Sequence, residues 1–327
     1  MKHLSVFGMI IGLFVLTILV VLQGAGEIFT MLAKSGWVLL TLTLIWLPSL
    51  YFYTESWRLV FRQETKPPFW FSLAAIWMGR SINSLLPVAT IGGEIAKARL
   101  ITFTGVSGVD ATATMLVDKT VQVLALIIWG LIGVGALVYL KGDNTFVMAA
   151  LGGFALLTLG VFGFFLVQRA GMFNILTRIG SALVKSEKWD GISVNAKAVD
   201  ETVLVIYRHQ LRFWWSVILK SIGLAVQTGE VWLACYLLGF PIGIFEAMII
   251  KSLTSTLSDI AFVIPNAYGV QEGAYIVVGA MFGLTPDFAL AVSLATRIRE
   301  LVVDIPGLLY WQLYESKLLL KKQAAAE

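Results

Sequence analysis

The sequence predicts an all-α, polytopic membrane protein built as an inverted repeat, and three observations carry that expectation. Charged residues make up 13% of the 327-residue chain against 58% hydrophobic ones, whereas a soluble domain carries about 25% charge. Apolar runs such as 4–22 and 145–167 reach the roughly 20 residues that a helix needs to cross about 30 Å of hydrocarbon. Two stretches broken by Pro and Gly, 68–106 and 243–284, repeat one plan. So much apolar surface cannot remain in water, which excludes a soluble enzyme, a nucleic-acid-binding module and a disordered chain.

Six full spans are expected, at 4–22, 36–53, 110–140, 145–168, 213–238 and 287–314. The first follows Lys2-His3 and resembles a signal peptide. Its apolar stretch exceeds the usual 7–15 residues, roughly, and Gln23-Gly24-Ala25-Gly26 makes a poor cleavage site, so it reads as an uncleaved span. Gly8 and Gly12 on it have the spacing of a helix-packing face. Between spans, Pro87 with Gly92-Gly93, and Pro265-Asn266 with Gly269, interrupt apolar runs. Proline removes a helix donor and glycine frees φ, so each region is expected to form two half-length helices joined by a turn, a re-entrant hairpin.

The hairpins align without gaps, placing Pro87 on Pro265, Glu94 on Glu272, Gly105 on Gly283, Ala111 on Ala289 and Lys119 on Arg297. The whole of 1–327 is therefore read as one integral membrane domain. Repeat 1 covers about 36–140 and repeat 2 about 213–316, each of about four helical elements, separated by the span 145–168 and a cytoplasmic amphipathic loop 169–212. Counting crossings turns the second copy upside down. It also puts both termini, Arg58, Arg62, Lys66, the basic loop and Lys317, Lys321 and Lys322 in the cytoplasm, leaving Lys34 and Lys141 outside. The net charge of +4 then reflects cytoplasmic loops, and no nucleic-acid partner is expected. Within the loop, Met172, Ile175, Leu176, Ile179 and Leu183 line one amphipathic face, and Val199, Val203 and Ile206 another. Such faces suit an anionic leaflet or the ends of the spans.

Ionisable residues inside or beside the spans point toward function. A charge at a helix centre costs about 2.5–3.5 kcal/mol on insertion scales, so these groups must pair, snorkel or face water. The expected transport residues are Arg80, Asn83, Glu94, Lys97, Arg99, Asp118, Lys119, Glu230, Asp259, Gln271, Glu272, Arg297, Arg299, Glu300 and Asp304, while Lys220 and Lys251 are expected to snorkel. Lys119 and Arg297 coincide in the repeat and are the foremost cations for an anionic headgroup. Glu94 and Glu272 open the helices after the turns, where a carboxylate suits the positive helix end. Isolated Cys235 and the distant pair His3 and His209 offer no metal site, and no cofactor is expected. Nucleophile and phosphate-loop motifs are missing, so catalytic residues are not assigned. A membrane enzyme using Glu94 and Asp118 as acid and base, or a non-catalytic assembly partner, are the alternatives to transport.

Leu85-Leu86-Pro87, the run from Gly92-Gly93-Glu94 to Arg99, Val117-Asp118-Lys119-Thr120-Val121-Gln122, and Pro265-Asn266-Ala267-Tyr268-Gly269-Val270-Gln271-Glu272-Gly273 together carry a family likeness. They resemble the flippase-like transmembrane domain of the lysylphosphatidylglycerol synthase (MprF) family, and most nearly its stand-alone, hopanoid-locus-associated branch. The resemblance covers about 4–314 and implies a multi-pass protein of the bacterial inner membrane that moves a polar-headgroup lipid, a phospholipid or hopanoid-type lipid, between leaflets. Membrane lipids are then the substrate, and a second copy of the chain or the lipid-biosynthesis machinery the candidate partners. The chain ends at Glu327 without the cytoplasmic aminoacyl-transfer domain of the full synthase, so lysyl transfer is not expected.

Overall fold

The computed structural model describes residues 2–88, 91–141, 189–261 and 264–324, and their regular structure is helical throughout. In chain order the helices are α1 (Lys2–Leu22), α2 (Ala25–Ser35), α3 (Thr41–Trp46), α4 (Pro48–Leu59), α5 (Phe69–Leu85), α6 (Gly92–Thr102), α7 (Gly108–Lys141), α8 (Trp189–Arg208), α9 (Gln210–Val226), α10 (Thr228–Leu238), α11 (Ile244–Ile260), α12 (Val270–Ala280) and α13 (Pro286–Ala324). A 3-10 turn, Gly36–Leu40, links α2 to α3, and another, Pro265–Ala267, precedes α12.

The all-α expectation holds, but six full spans, an inverted repeat and two re-entrant hairpins do not. Among the described residues three stretches are long and apolar enough to cross a membrane: Ala25–Leu59, Gly108–Leu140 and Gln210–Leu238. The apolar part of α1, Met9–Leu22, is shorter. Helix α13 has the length, yet Arg297, Arg299, Glu300 and Asp304 crowd into about two of its turns, too much charge for a lipid-facing rod. The expected span 145–168 and the first amphipathic stretch of the loop lie outside the described residues. The hairpin regions hold helices of 17 and 11 residues each, α5 with α6 and α11 with α12. Because the inversion rested on counting six crossings, it falls with them.

The chain divides into two compact units, each assembled from separate stretches. Unit 1 comprises 1–48, 74–97 and 226–327; unit 2 comprises 49–73 and 98–225. In unit 2, α8 lays Val199, Val203, Ile206 and Tyr207 into buried positions and packs on α7, with the Tyr207 hydroxyl donating to Thr120 Oγ1 at 3.1 Å. The second amphipathic stretch therefore seats on a span rather than on the leaflet. Helix α7 leaves Ile128, Leu131, Ile132 and Val138 exposed, as a helix with one lipid face should. Helix α9 approaches α4 closely at Gly223, where an added Cβ would lie 2.6 Å from the Tyr53 ring. Ser56 and Ser216 bond to each other and to each other's carbonyls there.

In unit 1, α13 packs against α12, α10, α2 and α3, and α11 against α10 and α12. Helix α1 lies on the Pro265–Ala267 turn: a Cβ on Gly12 would stand 2.7 Å from the Tyr268 carbonyl oxygen. That contact gives Gly12 the packing role its spacing implied. Gly269 makes the reciprocal approach to Val15 with φ of 79°, a backbone setting that favours glycine.

Candidate functional site: a buried ion network

Among the described residues unit 1 buries eight charged side chains. Glu230 enters in the first turn of α10, where a carboxylate meets the positive helix end. It is fully buried and holds two cations: Arg299 Nε donates to Oε1 at 2.6 Å, and Lys251 Nζ to Oε2 at 3.3 Å. Glu272 occupies the first turn of α12, its Oε2 accepting the Gly269 N–H at 2.7 Å. Its Oε1 accepts Arg297 Nε at 2.9 Å. Glu300 joins the two halves, taking Arg297 Nη1 at 3.0 Å and lying 3.9 Å from Arg299 Nη2. Asn266 Nδ2 adds a second hydrogen bond to Glu300 at 3.0 Å. One turn further along α13, Asp304 Oδ1 accepts Arg80 Nε of α5 at 3.1 Å.

Aromatic rings complete the lining. The guanidinium carbons of Arg80 and Arg299 stand 4.4 and 4.7 Å from the Trp46 ring centre, and that of Arg297 stands 4.8 Å from Tyr268. Such contacts stabilise a desolvated cation by up to about 2 kcal/mol. Four cations (Arg80, Lys251, Arg297 and Arg299) thus meet four carboxylates (Glu230, Glu272, Glu300 and Asp304) within one unit. The set is electrically neutral, the condition under which burying charge is tolerable. It is drawn from α5, α10, α11, α12 and α13, so no single helix carries the site.

The turn before α12 is shaped for this network. Asn266 and Ala267 both have positive φ, 51° and 49°. Asparagine accepts that conformation through its short polar side chain; alanine does so at a cost of about 1 kcal/mol. The backbone setting brings Asn266 to Glu300 and Tyr268 to Arg297.

Other expected site residues fall elsewhere. Asn83 Oδ1 accepts the Gly93 N–H at 2.7 Å, fastening α5 to the start of α6 where Gly79 and Gly93 meet. A Cβ on Gly93 would stand 1.9 Å from the Gly79 carbonyl oxygen. Glu94 and Lys97 pair at 2.7 Å along α6. Gln271 bonds Ser293 and Thr296 of α13. Pro87 lies between α5 and α6, and Gly92 opens α6. Arg99 and Asp259 are exposed. In unit 2, Asp118 is buried against Lys220 at 2.6 Å, whereas Lys119 bonds Gln122 at 3.0 Å.

Two residues were underrated by sequence reasoning. Lys251 and Lys220, expected to snorkel, are buried in ion pairs with Glu230 and Asp118. Lys251 sits mid-way along α11 beside fully buried Ile249 and Ile250. Its ammonium is therefore too far from either helix end to escape, and that central position was the available signal.

Three membrane-length apolar stretches and, within unit 1, a neutral, buried ion network define a multi-pass membrane protein. The chain belongs to the lysylphosphatidylglycerol synthase transmembrane-region family, whose model matches residues 9–307. The matched residues correspond to the membrane region of that synthase and not to its aminoacyl-transfer domain. No curated protein and no solved structure matches the chain.

Proposed function

We propose that the protein is a lipid translocase of the flippase type, carrying the polar headgroup of a phospholipid or hopanoid-type lipid between leaflets along the charged interior of unit 1. The observation that carries this reading is the eight-membered network of Arg80, Glu230, Lys251, Glu272, Arg297, Arg299, Glu300 and Asp304. A membrane protein needing only stability would fill such a core with apolar side chains, which serve as well or better. Ionisable groups inside a membrane protein mark substrate and ion pathways. The family supports a lipid as the substrate. In this reading Arg297 and Arg299 hold the headgroup anion, Arg80 and Asp304 form the changeable end of the path, and Glu230 and Glu272 keep the arginines aimed. Glu94 with Lys97, and Gln271, serve as further polar stations. Arg58, Arg62, Lys66, Arg208 and Arg212 mark the cytoplasmic end of unit 2 in a bacterial inner membrane. Membership in the stand-alone, hopanoid-associated branch is part of the same proposal.

The test is lipid exchange in proteoliposomes. Headgroup-labelled lipid should cross faster than in protein-free vesicles, and Arg299→Lys, which keeps the charge but loses the planar fork, should slow it about tenfold or more. Equal rates with and without protein would overturn the reading.

A further inference from the structure

The network is neutral but incomplete. Among the described residues three of its polar atoms are buried without a hydrogen-bond partner: Arg297 Nη2, Arg299 Nη1 and Asp304 Oδ2. Their side chains are 9%, 2% and 0% exposed. Buried polar atoms are satisfied in the great majority of cases, and exceptions mark an absent water, ion or ligand. Two guanidinium donors ask for an oxyanion, and arginine matches the phosphate group in particular.

Charge balance then sets a condition. With four cations already facing four carboxylates, a phosphodiester monoanion would leave one uncompensated negative charge out of water, which is strongly unfavourable. One proton entering with it restores neutrality. The carboxylates differ in how firmly they are held. Glu230 bonds Arg299 and Lys251; Glu272 bonds Arg297 and the Gly269 N–H; Glu300 bonds Arg297 and Asn266. Among the described residues Asp304 has one partner, Arg80, and an idle second oxygen. Arg80 is the more exposed member of its pair, at 29%, and its charge stays with the set once Asp304 is neutral.

The packed elements bring these titratable groups to the network: Arg80 from α5, Glu230 from α10, Lys251 from α11, Glu272 and Tyr275 from α12, and Arg297, Arg299 and Glu300 on α13 itself. Helix α2 packs on α13 near Leu290 and Ala291, and its Glu27 and Lys34 are exposed.

We propose that unit 1 binds a phosphodiester oxyanion at Arg297 Nη2 and Arg299 Nη1 together with one proton at Asp304. Headgroup entry is thereby coupled to proton uptake, and the inference rests on the translocase reading for its lipid source. Two probes separate a lipid headgroup from a free anion: dihexanoylphosphatidylglycerol and dimethyl phosphate, neither of which titrates near neutrality. Added to the full-length protein in weakly buffered detergent, a bound probe should withdraw about one proton per site, and affinity should weaken as pH rises. Binding of both probes assigns the seat to the phosphodiester alone; binding of the lipid only assigns it to the headgroup with its tails. Asp304→Asn should bind with no proton uptake and no pH dependence, and Arg299→Lys should bind about tenfold more weakly. Binding without proton uptake by the unaltered protein, uptake persisting in Asp304→Asn, or no binding of either probe would overturn the proposal. Should the asparagine variant not fold, the proton count on the unaltered protein decides alone. Proton-linked binding without accelerated lipid exchange would sink the translocase reading and leave this one standing; exchange without proton uptake would do the reverse.

Discussion

At the scale of single residues, the strongest constraints are those with no room to move. Gly93 has its missing Cβ aimed at the Gly79 carbonyl, so Gly93→Ala must push α5 and α6 apart. Overpacking typically costs about 1–3 kcal/mol, and a thermal melt of the purified protein should show Gly93→Ala clearly less stable than Gly105→Ala, where space is open although φ is positive. The buried pair Asp118 and Lys220 makes a second case. Asp118→Asn removes the lysine's counter-charge and should cost about 3–5 kcal/mol, while Asp118→Leu combined with Lys220→Met should recover most of it. A double-substitution cycle read by melting checks both. These details were only partly legible beforehand. Asp118 drew notice because a carboxylate inside an apolar run demands explanation, but Lys220 looked able to reach the interface along its own aliphatic stem. Only folding places it 2.6 Å from the carboxylate.

At the scale of elements, α13 shows how a helix tolerates its own irregularities. Pro306 lies inside it and removes one intrahelical donor. Trp77 Nε1 from α5 donates to the nearby Val303 carbonyl at 2.8 Å. Trp77 also stacks on Tyr310 at 6.1 Å, and a Cβ on Gly307 would meet Ser81 Oγ at 2.2 Å. Trp77→Phe keeps the ring and loses the donor; it should lower stability by about 1 kcal/mol, measurable by chemical denaturation in detergent. Helix positions were readable from apolar runs punctuated by Pro and Gly, which is why α7 matches the expected 110–140 span within a few residues. Span status was not readable in the same way. Length and apolar average admit α13, whereas four charges crowded together disqualify it as a lipid-facing rod. Apart from the contacts of Arg297 and Arg299 with Glu300 within the helix, their partners lie 25 to 224 residues away along the chain, beyond any local pattern.

At the scale of the whole molecule, the basic residues provide an orientation test. Arg62 is exposed, and Arg212 Nη2 bonds Gln63 at 3.4 Å, so Arg62→Cys presents a thiol at the basic end of unit 2. The native Cys235 is buried and should stay unreactive toward a charged maleimide. Labelling of Arg62→Cys only when reagent reaches the cytoplasmic face is the expected outcome; labelling of intact cells from outside would reverse the orientation. The neutral ion network also has a consequence for how the chain is made. The arginines of α13 leave the ribosome after Glu230 and Glu272, so the two carboxylates that accept their Nε hydrogen bonds have already been synthesised. A helix so charged gains little from meeting lipid by itself. Its entry into the bilayer therefore depends on docking against finished neighbours, which makes biogenesis of this protein a sequential assembly with its most polar helix fitted after them.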